Sequence, residues 1–157
     1  MSPRQIQSSR RPSRIRTRIS YVALAMGTSV VGLAVHLHGA ALPLAARDVL
    51  GDALWAMMIA WWLGAIAPGL RLPRRAIAAL AICFAVELSQ LYHSPVIDAL
   101  RETTIGHLVL GSGFDPRDLV SYAAGVVATA LLEFAVMRYR AGTAAGATGH
   151  AESEPLR

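Results

Sequence analysis

The chain has 157 residues, of which 54% are hydrophobic, and its mean hydropathy is +0.44. These values exceed what a soluble domain of this length normally carries, and they indicate a single membrane-embedded domain. All basic residues are Arg and the formal net charge is +5. Because the arginines lie between apolar segments, we expect membrane lipids as partners and no nucleic acid.

The first part of the chain, residues 1–18, is rich in Arg, Ser and Pro. We expect a disordered cytoplasmic tail, because such a segment has no apolar surface to bury. Residues 20–37 contain no Asp, Glu or Arg and are rich in Val, Leu and Ala. At ~1.5 Å per residue they are long enough to cross a hydrocarbon core of ~30 Å. The sequence therefore predicts a first membrane helix that is retained rather than cleaved as a signal peptide.

Further apolar segments predict three more membrane helices, at about 53–70, 76–92 and 119–137. The last segment, residues 139–157, is composed of Gly, Ala and Thr followed by charged residues. It is expected to be a second disordered cytoplasmic tail. The transmembrane domain is thus predicted to occupy residues 19–138.

The distribution of arginine predicts the orientation of these helices. Eleven arginines lie in the first tail, in the turn at 71–75 and directly after the fourth helix, against three in the other two loops. Positively charged loops remain in the cytoplasm, so both termini are expected there. The predicted fold class is an all-α integral membrane protein with four transmembrane helices, located in a cytoplasmic membrane.

The loop between the third and fourth helices, residues 93–118, is longer than an ordinary connection. It contains apolar groups such as Pro95-Val96-Ile97 and Leu108-Val109-Leu110. Backbone that is not helical is not tolerated against lipid. We therefore predict an interfacial or re-entrant helical segment that caps the bundle on the outer side.

Polar residues near the outer ends of the helices form the candidate site. Glu87 lies within the predicted third helix, where an ionisable residue is a functional hypothesis by default. Gln90 follows at i+3, and Asp118 and Tyr122 share a face of the fourth helix at i and i+4. The predicted ligand-binding residues are Asp52, Trp55, Glu87, Gln90, Arg101, Asp118 and Tyr122.

Arg101 is expected to reach from the outer loop and to pair with the carboxylates, because bidentate guanidinium binding lowers the cost of burying them. A structural interpretation assigns Asp52 and Asp118 to first-turn caps and Glu87 with Arg101 to a buried pair that ties loop to bundle. The ligand-binding interpretation rests on the convergence of all these side chains on one side of the membrane. The expected ligand is envelope-related, a lipid headgroup or a glycan precursor.

Three alternative functions remain open at this point. Glu87 could act as a general acid or base in a membrane enzyme of lipid or envelope chemistry, so the sequence leaves catalysis undecided. A transport or proton-relay component would require a homo-oligomer, since four short helices without an internal repeat make an incomplete transporter. A purely structural bundle needs no ligand at all.

The histidines and the cysteine do not predict a metal site or a cofactor. His36, His38, His93 and His107 all lie on the predicted outer side, but their spacing fits no metal-binding pattern. Cys83 has no second cysteine to pair with and lies in an apolar run. We therefore expect no disulfide, no bound metal and no cofactor.

The chain resembles a family of small bacterial inner-membrane proteins of unknown function known as DUF 2809. The resemblance rests on five groups of residues between about 20 and 137: Gly51-Asp52-Ala53-Leu54-Trp55-Ala56, Glu87-Leu88-Ser89-Gln90-Leu91-Tyr92, Leu100-Arg101 with Thr104 and Gly106, Leu110-Gly111-Ser112-Gly113-Phe114, and Asp118 with Tyr122 and Gly125. It implies a membrane protein of unassigned activity.

A more distant similarity is to the VanZ-like family, whose pattern is Glu-x-x-Gln, then Arg, then Asp and a helix that contains Gly. Those places are taken here by Glu87 and Gln90, Arg101, Asp118 and Gly125. Tyr122 stands where VanZ-like chains often have Asn, and the loop before it is longer. This similarity implies a link to the cell envelope.

Overall fold

The structure, a computed structural model, describes residues 14–111 and 113–151, and within these ranges it is helical without strands. A short 3₁₀ turn, Gly39–Ala41, follows the first helix. The six α-helices in chain order are α1 (Arg14–His38), α2 (Leu44–Ile66), α3 (Leu72–Ser89), α4 (Pro95–Arg101), α5 (Thr104–Leu110) and α6 (Pro116–Ala151).

Three of these helices, α1, α2 and α6, are long and apolar enough to cross a membrane. α3 is 18 residues long, but it carries Arg74, Arg75 and Glu87 and is not among the three. The all-helical prediction is therefore confirmed for the described residues, and three of the four predicted spans have a counterpart of this kind.

Prolines set the helix starts. α2 begins at Leu44, nine residues before the predicted start, because the carbonyl of Pro43 accepts the first helical hydrogen bonds from the amides of Ala46 and Arg47. Asp52 consequently lies inside α2, and its predicted role as a first-turn cap is wrong. The helix ends at Ile66, two residues before Pro68. This end is expected, because proline cannot continue a helix and disfavours helical conformation in the residue before it.

The third and last long helices also differ in extent from their prediction. α3 begins at Leu72 with Pro73 in its first turn and ends at Ser89 rather than at residue 92. α6 starts at Pro116 and continues to Ala151. The described part of the predicted C-terminal tail, 139–151, is thus helical, as are residues 14–18 of the predicted N-terminal tail. Residues 1–13 and 152–157 lie outside the described residues.

The core of the bundle is formed where α2, α3 and α6 pack against one another. Most of its buried residues are small, among them Ala56, Ala60, Ala79 and Cys83, and its large buried residue is Tyr122. Small side chains allow the helix axes to approach closely, as is typical of helix packing in membranes. Gly125 of α6 lies against the backbone of Ala53 in α2, where a Cβ atom would collide with the carbonyl oxygen. α1 packs along α2, and Ala25 is its buried residue.

Candidate functional site

Glu87 is the centre of the polar site. Its side chain is fully buried at the end of α3, and both carboxylate oxygens accept hydrogen bonds. Oε1 accepts from the backbone amide of Asp115 at 2.8 Å. Oε2 accepts from Tyr122 Oη at 3.0 Å and from Gln90 Nε2 at 2.9 Å. Neutral donors therefore satisfy this carboxylate, which reduces the free-energy cost of its burial.

Gln90 extends the hydrogen bonds of Glu87 to the chain that leads into α6. Its Oε1 accepts from the amide of Gly113 at 2.9 Å while its Nε2 donates to Glu87. Gly111 adopts a φ of 71° directly against the Gln90 amide, and a Cβ atom there would overlap that group. Glycine is required at 111 for both its backbone conformation and its close approach.

Asp115 is a site residue that the sequence analysis missed. Its amide binds Glu87, and its Oδ1 accepts from the amide of Arg117 at 2.9 Å, which caps the start of α6. The signal was present in the sequence, because an Asp followed by Pro116 is typical of a helix N-cap followed by proline at the first helical position. One residue thus fixes both the start of α6 and the position of the Glu87 carboxylate.

Asp52 and Asp118 form a carboxyl pair beside Glu87. They come from α2 and α6, their side chains are within hydrogen-bonding reach of each other, and both residues are half-buried. The charged groups that act on this pair are further carboxylates, those of Asp48, Glu87 and Asp115. The close approach of Gly125 to Ala53 brings the two helices together at this level. This end of the bundle is therefore strongly acidic.

Arg101 does not pair with Glu87, and that prediction is wrong. Its guanidinium donates to the carbonyl oxygens of Ser89 and Tyr92 at 3.1 and 3.0 Å and to Asp98 Oδ1 at 3.2 Å. The carbonyls at the end of a helix have no intrahelical partner, and a cation is favourable there. Arg101 therefore joins α4 to the end of α3. It takes no part in the carboxylate cluster, which consists of Asp52, Glu87 and Asp118 with the donors Gln90 and Tyr122.

Of the predicted ligand-binding residues, the structure brings together Asp52, Glu87, Gln90, Asp118 and Tyr122. Trp55 packs against the apolar core instead. Among the residues that the structure describes, no three His, Cys, Asp or Glu side chains are placed to hold a metal ion.

The family model described as "Protein of unknown function (DUF2809)" matches residues 41–126. The chain is a member of the DUF2809 family. The match contains the whole carboxylate cluster, from Asp52 to Tyr122, together with Arg101. No solved structure matches the chain.

A second polar cluster lies at the opposite end of the bundle, and part of it falls outside the DUF2809 match. Arg75 of α3 forms an ion pair with Glu133 of α6, and its side chain is 3% exposed. Arg75 Nη1 donates to Tyr21 Oη at 2.9 Å, and Tyr21 Oη donates to Glu133 Oε2 at 3.3 Å. The Tyr21 ring stacks on Trp61 and lies over Gly64, where a Cβ atom would meet it. This inner cluster, Tyr21, Arg75 and Glu133, joins α1 to α3 and α6.

Glu133 pairs with Arg75 of α3 and not with Arg138, which follows it by five residues on α6. Arg138 instead lies over the ring of Phe134, 5.6 Å from its centroid. Arg75 and Glu133 are far apart in the sequence, so no local pattern could have predicted their contact.

Proposed function

We propose that this DUF2809 protein is an integral membrane protein with four spans. They are the three long apolar helices α1, α2 and α6 and, in addition, α3. At ~1.5 Å per residue its 18 residues cover about 27 Å, close to a hydrocarbon core. Its two buried charges are compensated inside the bundle, Arg75 by Glu133 and Glu87 by three donors. The exposed side chains of α3 include the apolar Ile77, Ile82 and Leu88. Lipid therefore meets an apolar face despite the charged composition.

The proposed orientation places both termini in the cytoplasm of a bacterial cell, with the protein in its inner membrane. It is supported by the arginines near the start of α1 and at 71–75, on the cytoplasmic side by the positive-inside rule. The carboxylate cluster then faces outward. The short helices α4 and α5 expose Val96, Leu100 and Ile105. We place them in the outer interface, because seven residues each are too few to cross the bilayer.

We further propose that the carboxylate cluster binds an envelope-related ligand through Asp52 and Asp118, with Tyr122 beside them. The observation that carries this proposal is the half-buried carboxyl pair, which further carboxylates surround. Such a site favours a ligand rich in hydrogen-bond donors, either an ammonium headgroup or sugar hydroxyls, and disfavours a phosphate. The similarity of Glu87, Gln90, Asp118 and Gly125 to the VanZ-like pattern supports an envelope ligand.

Binding accounts for the geometry better than acid–base catalysis by Glu87. Both oxygens of this carboxylate are engaged, and the side chain has no exposed surface. A general acid or base must come within hydrogen-bonding reach of the substrate. A substrate would reach Glu87 only after its hydrogen bonds had been broken. A ligand at the half-buried Asp52 and Asp118 needs no such rearrangement.

The proposal is tested by thermal unfolding of the purified full chain in detergent with two added lipids, phosphatidylethanolamine and a monoglycosyl diacylglycerol. One of them should stabilise the wild type, by about 2.7 kcal/mol at a lipid concentration of about 100 Kd. Asp118→Asn should lose the shift, because an amide replaces the acceptor carboxylate. Glu102→Gln, an exposed acidic residue on the same side, should retain it.

The two lipids distinguish an ammonium from sugar hydroxyls as the recognised group. Failure of both lipids to shift the unfolding temperature contradicts the proposal, and so does an equal loss in Asp118→Asn and Glu102→Gln.

A further inference from the structure

Exposed arginines gather at the end of the bundle opposite Glu87. We call this group the arginine collar; its members are Arg14 and Arg18 of α1, Arg71 and Arg74 at the start of α3, and Arg138 of α6. All five are exposed. They come from three separate helices, so the fold and not a local charge run creates the group.

The inner cluster shows that three of these arginines, one from each helix, lie at a similar level. Tyr21, Arg75 and Glu133 are in contact and therefore mark the same height on α1, α3 and α6. Arg18 lies three residues before Tyr21, Arg71 lies four before Arg75, and Arg138 follows Glu133 by five. At ~1.5 Å per residue, each is about 5 to 8 Å beyond the inner cluster, towards the same end.

The acidic side chains that the structure describes near the collar do not balance its charge. Among the described residues, the acidic side chain at this end is Glu133, and it is already paired with Arg75 inside the bundle. The outer end shows the opposite pattern, since its Arg47 lies beside Asp48 and its Arg117 lies within the acidic segment of Asp115 and Asp118. Within the described part of the chain, the collar thus carries an excess of positive charge, which an anionic ligand can neutralise.

Apolar side chains adjoin the collar on the surface. Ile15 and Ile19 of α1 and Ile77 of α3 are each more than 60% exposed. Arginines directly beside exposed aliphatic side chains match a molecule with an anionic head and apolar tails. A guanidinium can bind two oxygens of one phosphate in a bidentate manner.

We propose that the arginine collar is a binding surface for anionic phospholipids, and specifically for phosphatidylglycerol, whose phosphodiester carries no compensating ammonium. The proposal rests on the four-span arrangement given above, which sets this end of the bundle at a membrane surface. It does not depend on the carboxylate cluster, which is acidic and therefore favours donor groups over anions. The two ends of the molecule would thus select different headgroups.

The test measures lipid binding to the purified full chain by native mass spectrometry, with phosphatidylglycerol and phosphatidylcholine as competing lipids. Wild type should prefer phosphatidylglycerol. Arg71→Gln with Arg74→Gln should weaken its binding about 25-fold, or about fivefold for each arginine, which corresponds to ~1 kcal/mol per basic residue near an anionic surface. The preference should also decline as the salt concentration rises.

Arg117→Gln is the matched control, because it removes an exposed arginine from the outer end. It should leave the affinity for phosphatidylglycerol unchanged. If the double variant does not fold, Arg14→Gln with Arg18→Gln on α1 should show the same loss. Equal binding of both lipids by wild type would overturn the proposal, as would a loss in Arg117→Gln as large as that in the collar variants.

The outcome is separable from that for the outer ligand. Collar variants should keep the response to phosphatidylethanolamine or the glycolipid, whereas Asp118→Asn should keep the preference for phosphatidylglycerol. Loss of both responses in both sets of variants would contradict the division of the molecule into two lipid-binding ends.

Discussion

The carboxylate cluster and the inner cluster bury charge in two different ways. Glu87 carries a carboxylate that neutral donors satisfy, and its neighbours Asp52 and Asp118 are further acidic groups. Arg75 and Glu133 instead form a pair of opposite charges, with Tyr21 bonded to both. The two charges of the inner cluster compensate each other, although Glu133 Oε1 is buried without a hydrogen bond, whereas the carboxylate cluster has an excess of acceptors.

This difference separates a structural role from a binding role. A buried ion pair with its own hydrogen bonds joins helices and needs no ligand, because its charges already compensate each other. An acidic group of half-buried carboxyls is favourable only when protons or donor groups reach it. Glu87 has both roles, because it holds the Asp115 amide in place while it contributes an acidic group to the site.

The largest expected effect comes from breaking the inner cluster. Arg75→Met leaves the Glu133 carboxylate in the bundle without its cation, and should lower the free energy of unfolding by about 3 to 5 kcal/mol. Denaturant unfolding in detergent measures this change. Combining Arg75→Met with Glu133→Leu should recover most of the loss, because no uncompensated charge remains. A double variant as unstable as the single one would show that the pair does more than compensate charge.

A smaller effect is expected from Glu87→Gln, about 1 to 3 kcal/mol in the free energy of unfolding. A glutamine at position 87 has one acceptor oxygen and one NH2 group. Its NH2 group would replace an acceptor oxygen and would face a donor, which is Tyr122, Gln90 or the Asp115 amide. Tyr122→Phe, which removes one of the three donors, should cost about 1 kcal/mol. The same unfolding measurement applies, and a Glu87→Gln variant as stable as wild type would contradict the assigned hydrogen bonds.

The smallest effect is the coupling between Glu87 and Arg101. Their side chains have separate partners, so a double-mutant cycle of Glu87→Gln and Arg101→Ala should give an interaction energy below about 0.5 kcal/mol. Arg101→Ala alone should still destabilise, because the carbonyls of Ser89 and Tyr92 lose their donor. A coupling energy of 2 kcal/mol or more would restore the direct ion pair that the sequence suggested.

Much of this fold could be predicted from the sequence because long apolar segments have few alternatives to helix in a membrane. The boundaries were less predictable. Arg47 and Asp48 were assigned to a loop, yet they lie in the first turns of α2, where exposed charges do not interrupt a helix that Pro43 has started.

The site was predictable in part. Glu87 and Gln90 on one helix and Asp118 and Tyr122 on another show a shared face through their i+3 and i+4 spacing, and the structure joins these faces. The inner cluster was not predictable, since Tyr21 contacts residues 54 and 112 positions away. Helical periodicity tells which side a residue faces and not which helix lies opposite.

The central claim is that α3 crosses the membrane, so that the carboxylate cluster and the arginine collar face opposite compartments. Single cysteines at Gly69 and at Thr104, in a Cys83→Ala background, test it by labelling of intact bacteria with a membrane-impermeant maleimide. Both positions are exposed, and they lie on either side of α3. We expect the Thr104→Cys variant to label in intact cells and the Gly69→Cys variant to label only after permeabilisation. Labelling of both from the same side would contradict the account, whereas a reversed pattern would preserve the four spans and invert the orientation.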